Sequence, residues 1–364
     1  MELISGIPEK YAKATESGDL LFFPSTTTLH QENGVEFEIR LCPALEKKPN
    51  LPPPHFDSYE DCEKAEGTKP DPFAPPHNAN LLIGELKDED ESEDYVVLFN
   101  KYSVVPHHIL LVTKEFHSQT APLLPSDLVQ TYKLLLAARD AGRKFFAFYN
   151  CGTLSGASQP HKHLQLLPID PDGPPVERLA RKAKLEVPGT LVTLHCSTFS
   201  FITLRLNKDS TPERPFALST LPYANHIRRL PSSLSSSTPS TELSHILSAA
   251  FMSLLDLAIS TIRHDPNYPI GPPSYNVILT LEHMHVIPRR GETYTLHETG
   301  EELSVNALGF AGTLLVKSER ELEAVRKESI GSILRGVGLE SVHDLQVNED
   351  VREAGDHADE AKTS

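Results

Sequence analysis

One stretch decides how this chain folds and which chemistry it can support: Gly156-Ala157-Ser158-Gln159-Pro160-His161-Lys162-His163-Leu164-Gln165. An apolar run follows the second histidine and predicts a strand over residues 161–168. Successive side chains of a strand point to opposite faces, so His161, His163 and Gln165 share one face and Lys162 points to the other. We therefore expect two imidazoles and a carboxamide to converge at one place.

The residues before this strand are small. Glycine stands at 152 and 156, and the serines and alanine between and after them add little bulk. Such a loop lets the backbone approach a phosphate closely and aim several N–H groups at it. We expect the phosphate contacts to come from the loop residues Gly156, Ala157, Ser158 and Gln159.

Imidazole is suited to attack phosphorus from this position. Its ordinary pKa of about 6.5 leaves it largely neutral at neutral pH, and therefore nucleophilic without a separate base. The phosphoramidate that forms is reactive, so one difficult displacement becomes two easier ones. Gln165 could hydrogen-bond a phosphoryl oxygen or the leaving group and cannot itself titrate. Two other interpretations stay open, namely that both histidines are structural or that they ligate a metal such as zinc.

These residues resemble a known family. His-Lys-His-Leu-Gln after Ser-Gly-Ala-Ser-Gln-Pro is similar to the transferase branch of the histidine triad superfamily, and most of all to the fungal-type diadenosine tetraphosphate phosphorylases, also called ATP adenylyltransferases. Further segments that carry the resemblance are residues 45–49, 98–101, 105–106, 110–116, 149–152, 274–276 and 286–289. The resemblance implies an α+β fold of the histidine-triad type, with a mainly antiparallel sheet, packed helices and two such lobes in one chain.

The resemblance also implies a reaction. A dinucleoside tetraphosphate and phosphate would give ATP and ADP, with AMP held on His163 between the two steps. Gln165 would contact the transferred phosphate, and His161 would orient the strand and the nucleophile by hydrogen bonding. Triad hydrolases normally carry a third histidine where this chain has Gln165, which favours transfer to phosphate over transfer to water. Galactose-1-phosphate uridylyltransferases share the glutamine but have proline at the position of Lys162.

Several other functions remain possible for the same motif. They are adenosine phosphosulfate adenylyltransferase, dinucleoside polyphosphate hydrolase and a non-catalytic sensor of dinucleotides. Retention of both His163 and Gln165 counts against the sensor, because binding alone requires no nucleophile.

Substrate contacts are expected from both halves of the chain. The candidate cations for the polyphosphate are Lys47 or Lys48, Lys101, Lys162 and Arg289. Asn150 follows a predicted strand and lies at the edge of the glycine loop. By resemblance, Asn100 and Lys101 lie near the nucleotide, and Asn276, Thr280, His283 and Arg289 belong to the wall for the second nucleotide. The alternatives are an ordinary strand-end turn for Asn100 and Lys101, and half-buried strand side chains for His283 and His285.

Composition limits the partners. The formal net charge of −16 argues against broad nucleic-acid binding but not against a nucleotide. Four scattered cysteines indicate a reducing compartment, and no secretory signal or membrane span is expected. We expect a monomer in the cytoplasm, with the nucleus as a second location, acting on diadenosine polyphosphates, ATP, ADP and phosphate. A divalent cation, Mg²⁺, is expected to arrive with the polyphosphate, because no dedicated protein cage is visible.

The chain divides into three parts by pattern. Residues 1–213 are predicted to form the N-terminal catalytic lobe with the nucleophile strand 161–167, residues 214–345 a C-terminal substrate-binding lobe, and residues 346–364 a disordered polar tail. Helices are predicted from Pro8 to about Gly18, from a Ser126 cap to Ala141, over about 242–263, and after a Ser318 cap. Further strands are predicted at 95–100, 109–113, 145–149, 190–194, 199–206, 275–280, 285–288 and 308–316. Tyr-Asn before His-x-His occurs once in each half, which suggests a duplication.

Overall fold

The computed structural model describes residues 2–47, 71–87, 93–169, 172–183 and 214–341. Several predicted features lie outside these residues. They are Lys48, the strands predicted at 190–194 and 199–206, and the tail from 346 onward.

Helices and strands alternate irregularly along the chain. The helices are α1 (Glu2–Ser5), α2 (Ile7–Glu16), α3 (Pro125–Asp140), α4 (Pro175–Lys182), α5 (Ser240–His264), α6 (Ala307–Ala311), α7 (Glu319–Glu328) and α8 (Ile330–Val337), with a 3-10 turn at Pro43–Lys47. The strands are β1 (Leu21–Phe22), β2 (Thr26–Glu32), β3 (Val35–Leu41), β4 (Leu82–Lys87), β5 (Asp94–Phe99), β6 (Tyr102–Ser103), β7 (Ile109–Thr113), β8 (Phe145–Cys151), β9 (His163–Pro168), β10 (His226–Arg229), β11 (Ser274–Leu279), β12 (His283–Arg289), β13 (Thr293–Thr295), β14 (Glu302–Ser304) and β15 (Thr313–Val316).

Eight strands, contributed by both predicted lobes, form one continuous sheet. Its order is β10-β12-β11-β8-β9-β7-β5-β4, and every neighbouring pair is antiparallel. Strands from the two predicted lobes meet at the β8–β11 seam, where Asn150 pairs with Asn276. The predicted α+β class with a mainly antiparallel sheet is confirmed. A separate three-stranded sheet, β15-β3-β2, packs beside it with α7.

Strand alternation divides β9 between two environments. Leu164 and Leu166 join the large core formed where α3 and α5 pack against the sheet. Leu167 joins the core on the other face, which includes Phe146 and Phe148 of the adjacent strand β8. His163 and Gln165 lie on the same face as Leu167 because they are separated from it by an even number of residues. The expected division of the strand is therefore present.

Helix α5 has 25 residues, and an 18-residue window within it has a mean hydropathy of 1.6, so it could span a membrane by length and composition alone. The expectation that no stretch approaches a membrane span was therefore wrong as stated. The buried face of this helix carries Leu243, Leu247, Phe251 and Leu254, all part of the sheet-side core. A core helix of a globular protein passes the same test of length and hydropathy.

Two local predictions were wrong. The N-cap of α3 is Leu124, whose backbone N–H donates to the Asp127 carboxylate, and Ser126 lies inside the first turn. The apolar run 308–316 does not form one strand: its first part is helix α6, and the left-handed Gly312 (φ +110°) ends that helix before β15 begins. The Ser318 cap is confirmed, because its side chain accepts a hydrogen bond from the Glu321 N–H.

Candidate active site

His163 is the first residue of β9, and its side chain is only 2% exposed. Its Nδ1–H donates to the carbonyl oxygen of His161 at 2.8 Å. This bond places the ring proton on Nδ1 and leaves the lone pair on Nε2, which makes no hydrogen bond to any residue that the structure describes. Burial lowers the pKa of His163 to about 4, so the ring is neutral near pH 7. The arrangement is that of an imidazole nucleophile ready to attack through Nε2.

His161 is held on both sides by oxygen acceptors. Its Nδ1 lies 2.6 Å from the Asp71 carboxylate, and its Nε2 lies 2.8 Å from the Thr113 carbonyl and 3.2 Å from the Glu115 carbonyl. Because the carbonyl of His161 in turn receives the Nδ1–H of His163, a fixed His161 also fixes the ring of His163. Phe73 covers both rings, with centroid distances of 5.9 Å to His161 and 5.2 Å to His163.

The glycine loop leads from β8 into this strand. Gly152 and Gly156 both have positive φ, of 93° and 77°, and a Cβ at Gly156 would lie 2.6 Å from the Val305 carbonyl oxygen. The Ser155 carbonyl points inward and accepts hydrogen bonds from Asn276 and Arg289. Within the described part of the chain, the backbone N–H groups of residues 156–159 make no hydrogen bond. Four open donors in a row, immediately before the nucleophile strand, can bind a phosphoryl group.

Asn150, Asn276 and Arg289 form a buried network under this loop. The Asn276 Nδ2 donates to the Asn150 Oδ1 at 2.9 Å, and the Arg289 Nη1 donates to the Asn276 Oδ1 at 2.6 Å. Arg289 makes four more hydrogen bonds, to the carbonyls of Ser155, Gly291, Val305 and Val337. All five guanidinium N–H groups are thereby used. Arg289 therefore shapes the loop from below, and it has no donor left for the phosphate contact expected from the sequence.

One donor of this network has no hydrogen-bond partner in the part of the chain that the structure describes. It is the buried Nδ2 of Asn150. A buried donor without a partner is costly, and a ligand oxygen would satisfy it. Gln165, half-buried, likewise makes no side-chain hydrogen bond to any residue in the described ranges. These two carboxamides lie on the nucleophile face and can contact a substrate.

Lys162 does not face the site. Its Nζ lies 2.5 Å from Asp127 and 3.0 Å from the Pro122 carbonyl, and both charged side chains are fully buried on the helix side of the sheet. The expectation that Lys162 meets the polyphosphate was wrong, because strand alternation turns it away from His163.

Asn100 and Lys101 lie toward the opposite end of β9. Val112 of β7 pairs with His163, whereas the Asn100 N–H bonds to the His108 carbonyl four residues earlier, which is about 13 Å along the strand. The Asn100 side chain bonds to His108 and to the Tyr102 N–H, and Lys101 is exposed. This geometry is that of a strand-end turn, and the described residues do not bring the pair to the nucleophile.

Thr280 and His283 form a second cluster at the far end of β11 and β12. Glu177 of α4 accepts hydrogen bonds from His283 Nδ1 at 2.8 Å, His285 Nε2 at 3.2 Å and Thr280 Oγ1 at 3.1 Å. Burial would raise the pKa of Glu177, but the two histidines hold it well below its ordinary value. The ligand atoms of Glu177, Glu282 and His283 lie within 4.8 Å of one another, so these residues could hold a cation. The cluster also explains why both histidines are buried without being near the glycine loop.

Three residues of the site carry no sequence signal. Asp71 and Phe73 lie about ninety residues before the histidines, in a proline-rich segment for which the sequence predicts no helix or strand. Gln119 lies between two predicted elements, yet it is fully buried against the start of β9. Only the folded chain shows that they surround His163.

Two models of known protein domains together match most of this chain. The model of the Ap4A phosphorylase N-terminal domain matches residues 1–181, and that of the ATP adenylyltransferase C-terminal domain matches residues 219–340. Protein APA1 of Saccharomyces cerevisiae is 27% identical over 96% of this chain and 98% of its own length. Diadenosine 5',5'''-P1,P4-tetraphosphate phosphorylase 2 of the same yeast is 28% identical over 88% of this chain and 89% of its own.

A solved structure has the same fold along nearly its whole length. The crystal structure of yeast Ap4A phosphorylase Apa2 in complex with AMP superposes with a TM-score of 0.69 and 26% identity, covering 93% of this chain and 97% of that one. A second crystal structure of Apa2, in complex with Ap4A, gives a TM-score of 0.67 at 25% identity, covering 92% of this chain and 96% of that one. With both domain models matched in order along one chain, this protein belongs to the Ap4A phosphorylase family of ATP adenylyltransferases.

Proposed function

We propose that this chain cleaves diadenosine tetraphosphate with inorganic phosphate to give ATP and ADP, through an adenylyl group carried on His163. The observation that supports it most directly is the state of the His163 ring. It is neutral, protonated on Nδ1 and open on Nε2, and it follows a loop with four open backbone donors. Relatives over most of this length are Ap4A phosphorylases.

In the first step, the Nε2 of His163 attacks the α-phosphorus of one adenosine end. The N–P bond forms as the bond from that phosphorus to the bridging oxygen breaks, and ATP leaves. The open N–H groups of residues 156–159 and the carboxamides of Asn150 and Gln165 are suited to stabilise the charge on the phosphoryl oxygens. The Nδ1–H bond to the His161 carbonyl stabilises the positive charge that develops on the ring.

In the second step, inorganic phosphate attacks the adenylyl phosphorus. The N–P bond breaks, ADP leaves and His163 returns to its neutral form. Mg²⁺ would travel with the polyphosphate, since Asp71, the carboxylate that contacts His161, is already bonded to His161 and to the Phe73 N–H. A cation bound this way would screen the charge between the incoming and bound phosphates.

The test is intact-mass spectrometry after brief mixing with diadenosine tetraphosphate in the absence of phosphate. We expect one AMP on His163, located by peptide mapping in alkali and discharged as ADP when phosphate is added. His163→Gln should form no adduct but still bind the dinucleotide. His226→Asn is the control, because His226 is a half-buried histidine whose pKa burial also lowers, but it lies on edge strand β10. An adduct on His285, or turnover without any adduct, would contradict the proposal.

A further inference from the structure

The ladder between β8 and β9 stops two residues short of the nucleophile. The two strands pair from Phe145 with Pro168 to Phe148 with Gln165. Continuing the same register would place Asn150 opposite His163. At that point the strands are joined by a side chain instead of by their own backbones.

The side chain is the carboxamide of Gln119. Its Oε1 accepts the His163 backbone N–H at 2.8 Å, and its Nε2 donates to the Asn150 carbonyl at 2.8 Å and to the His163 carbonyl at 3.3 Å. A carboxamide carries a donor and an acceptor in the same plane, as a peptide group does, so it replaces a missing piece of backbone between the strands.

The main chain of Gln119 is tied to the same region. Its N–H donates to the Pro160 carbonyl at 2.7 Å, while its carbonyl accepts the Gly152 N–H at 3.3 Å and the Tyr149 hydroxyl at 3.1 Å. One fully buried residue thus connects the end of β8, the first glycine of the loop and the first residue of β9. These are the three parts whose relative position sets the distance from His163 to a bound phosphate.

We propose that Gln119 is a positioning residue for adenylyl transfer, spacing β8 from β9 so that His163 meets the phosphorus held by the glycine loop. The inference rests on the proposed nucleophilic role of His163. A nucleophile displaced by about 1 Å can react about a hundredfold more slowly, so replacing the carboxamide changes the rate of the chemical step more than it changes substrate binding.

Gln119→Met keeps the length of the side chain and removes both hydrogen-bonding groups. We expect the single-turnover rate of adenylylation, at saturating diadenosine tetraphosphate and without phosphate, to fall about 10- to 100-fold. The concentration of dinucleotide at half-maximal rate should stay within about threefold of the native value. Gln130→Met is the matched control, because Gln130 is also a buried glutamine but belongs to α3; its rate should stay within about threefold of the native rate.

Gln119→Glu gives a readout that a purely structural role would not produce. A protonated carboxyl has one O–H donor and one acceptor oxygen, so it can accept the His163 N–H and donate to the Asn150 carbonyl, which are the two shorter of the three side-chain hydrogen bonds. The ionised form has acceptors only and would oppose the Asn150 carbonyl. Relative to the native protein, this variant should adenylylate within about threefold at pH 5.5 and at least about tenfold more slowly at pH 8, whereas Gln119→Met should be equally slow at both.

The neighbouring groups do not obscure this comparison. Burial raises the pKa of Tyr149 well above its ordinary value and that of Cys151 to about 12, so both stay protonated from pH 5.5 to 8. The His163 pKa of about 4 lies below the same range. His161 and the Asp71 carboxylate that it contacts are present unchanged in every variant.

The outcomes separate cleanly. A native rate in Gln119→Met, a change confined to the half-maximal concentration, or parallel pH profiles for Gln119→Glu and the native protein would each overturn the positioning role. If Gln119→Met does not fold, the ratio of the Gln119→Glu rates at the two pH values decides alone. Absence of an AMP adduct in the native protein would instead overturn the proposed function.

Discussion

Removal of the Phe73 ring should raise the pH below which the rate of adenylylation falls, here called the acid limit. The ring lies 5.2 Å from His163 and helps to exclude water from an imidazole whose pKa burial lowers to about 4. At pH 5.5 a group with that pKa is about 97% neutral, whereas one with the ordinary value of about 6.5 is about 9% neutral. Phe73→Ala admits water, so the rate at pH 5.5 relative to pH 8 should fall by up to about tenfold.

The assay is single-turnover adenylylation from pH 4.5 to 8.5 with saturating diadenosine tetraphosphate and no phosphate. Omitting phosphate removes the titration of the second substrate. The native protein should hold its rate down to about pH 5, and the variant should lose rate between pH 7 and 5, because only neutral imidazole attacks. Phe73→Leu, which keeps an apolar cover, is the control. An unchanged acid limit in Phe73→Ala, with the variant shown to be folded, would refute burial as the cause of the lowered pKa.

Three further substitutions test the supporting structure. Lys162→Met leaves Asp127 charged and buried, so the free energy of unfolding measured by urea titration should fall by about 3–5 kcal/mol. A loss under about 1 kcal/mol would contradict a stabilising buried ion pair between the two side chains. Glu177→Gln should cost about 2 kcal/mol at pH 7, and because the folded-state pKa of Glu177 lies below its ordinary 4.5, the difference from native should shrink as pH falls below that value. A pH-independent difference would refute that linkage. Gly156 has φ +77°, and a Cβ there would face the Val305 carbonyl. Gly156→Ala should therefore lower the free energy of unfolding by about 1–2 kcal/mol or more and slow adenylylation. A native rate would show that the loop does not need this turn.

The sequence predicts the nucleophile strand well because alternation is a local rule. His163 and Gln165 share a face and Leu164 packs into the opposite core, as a period of two requires. The same rule points the Lys162 side chain away from the phosphate. The prediction that Lys162 binds the polyphosphate considered only its charge and not the direction of its side chain. Arg289 shows a second limit of prediction from sequence. The sequence does not indicate that oxygen atoms of the protein itself will accept hydrogen bonds from every N–H group of its guanidinium.

Other features depend on contacts across long stretches of chain. Asp71 reaches His161 across 90 residues, and Gln119 reaches His163 across 44. No periodicity or spacing encodes such pairs. The prediction of one strand over residues 308–316 was wrong for a local reason. Four or five apolar residues fit a buried helix turn as well as a strand, and only Gly312 marks the change from helix to strand.

The β8–β11 seam has a consequence for how the chain acquires its structure. A polypeptide ending before residue 214 would carry β8 as an exposed edge, and the remainder would carry β11 as another, each with a row of unpaired backbone groups. The two fragments should therefore aggregate when made separately and recover adenylylation when co-expressed, by pairing through this edge. Soluble, monomeric behaviour of either fragment alone would contradict this expectation. If the fragments instead aggregate apart and recover activity together, the two halves, which resemble separate units in the sequence, form a single cooperative folding unit.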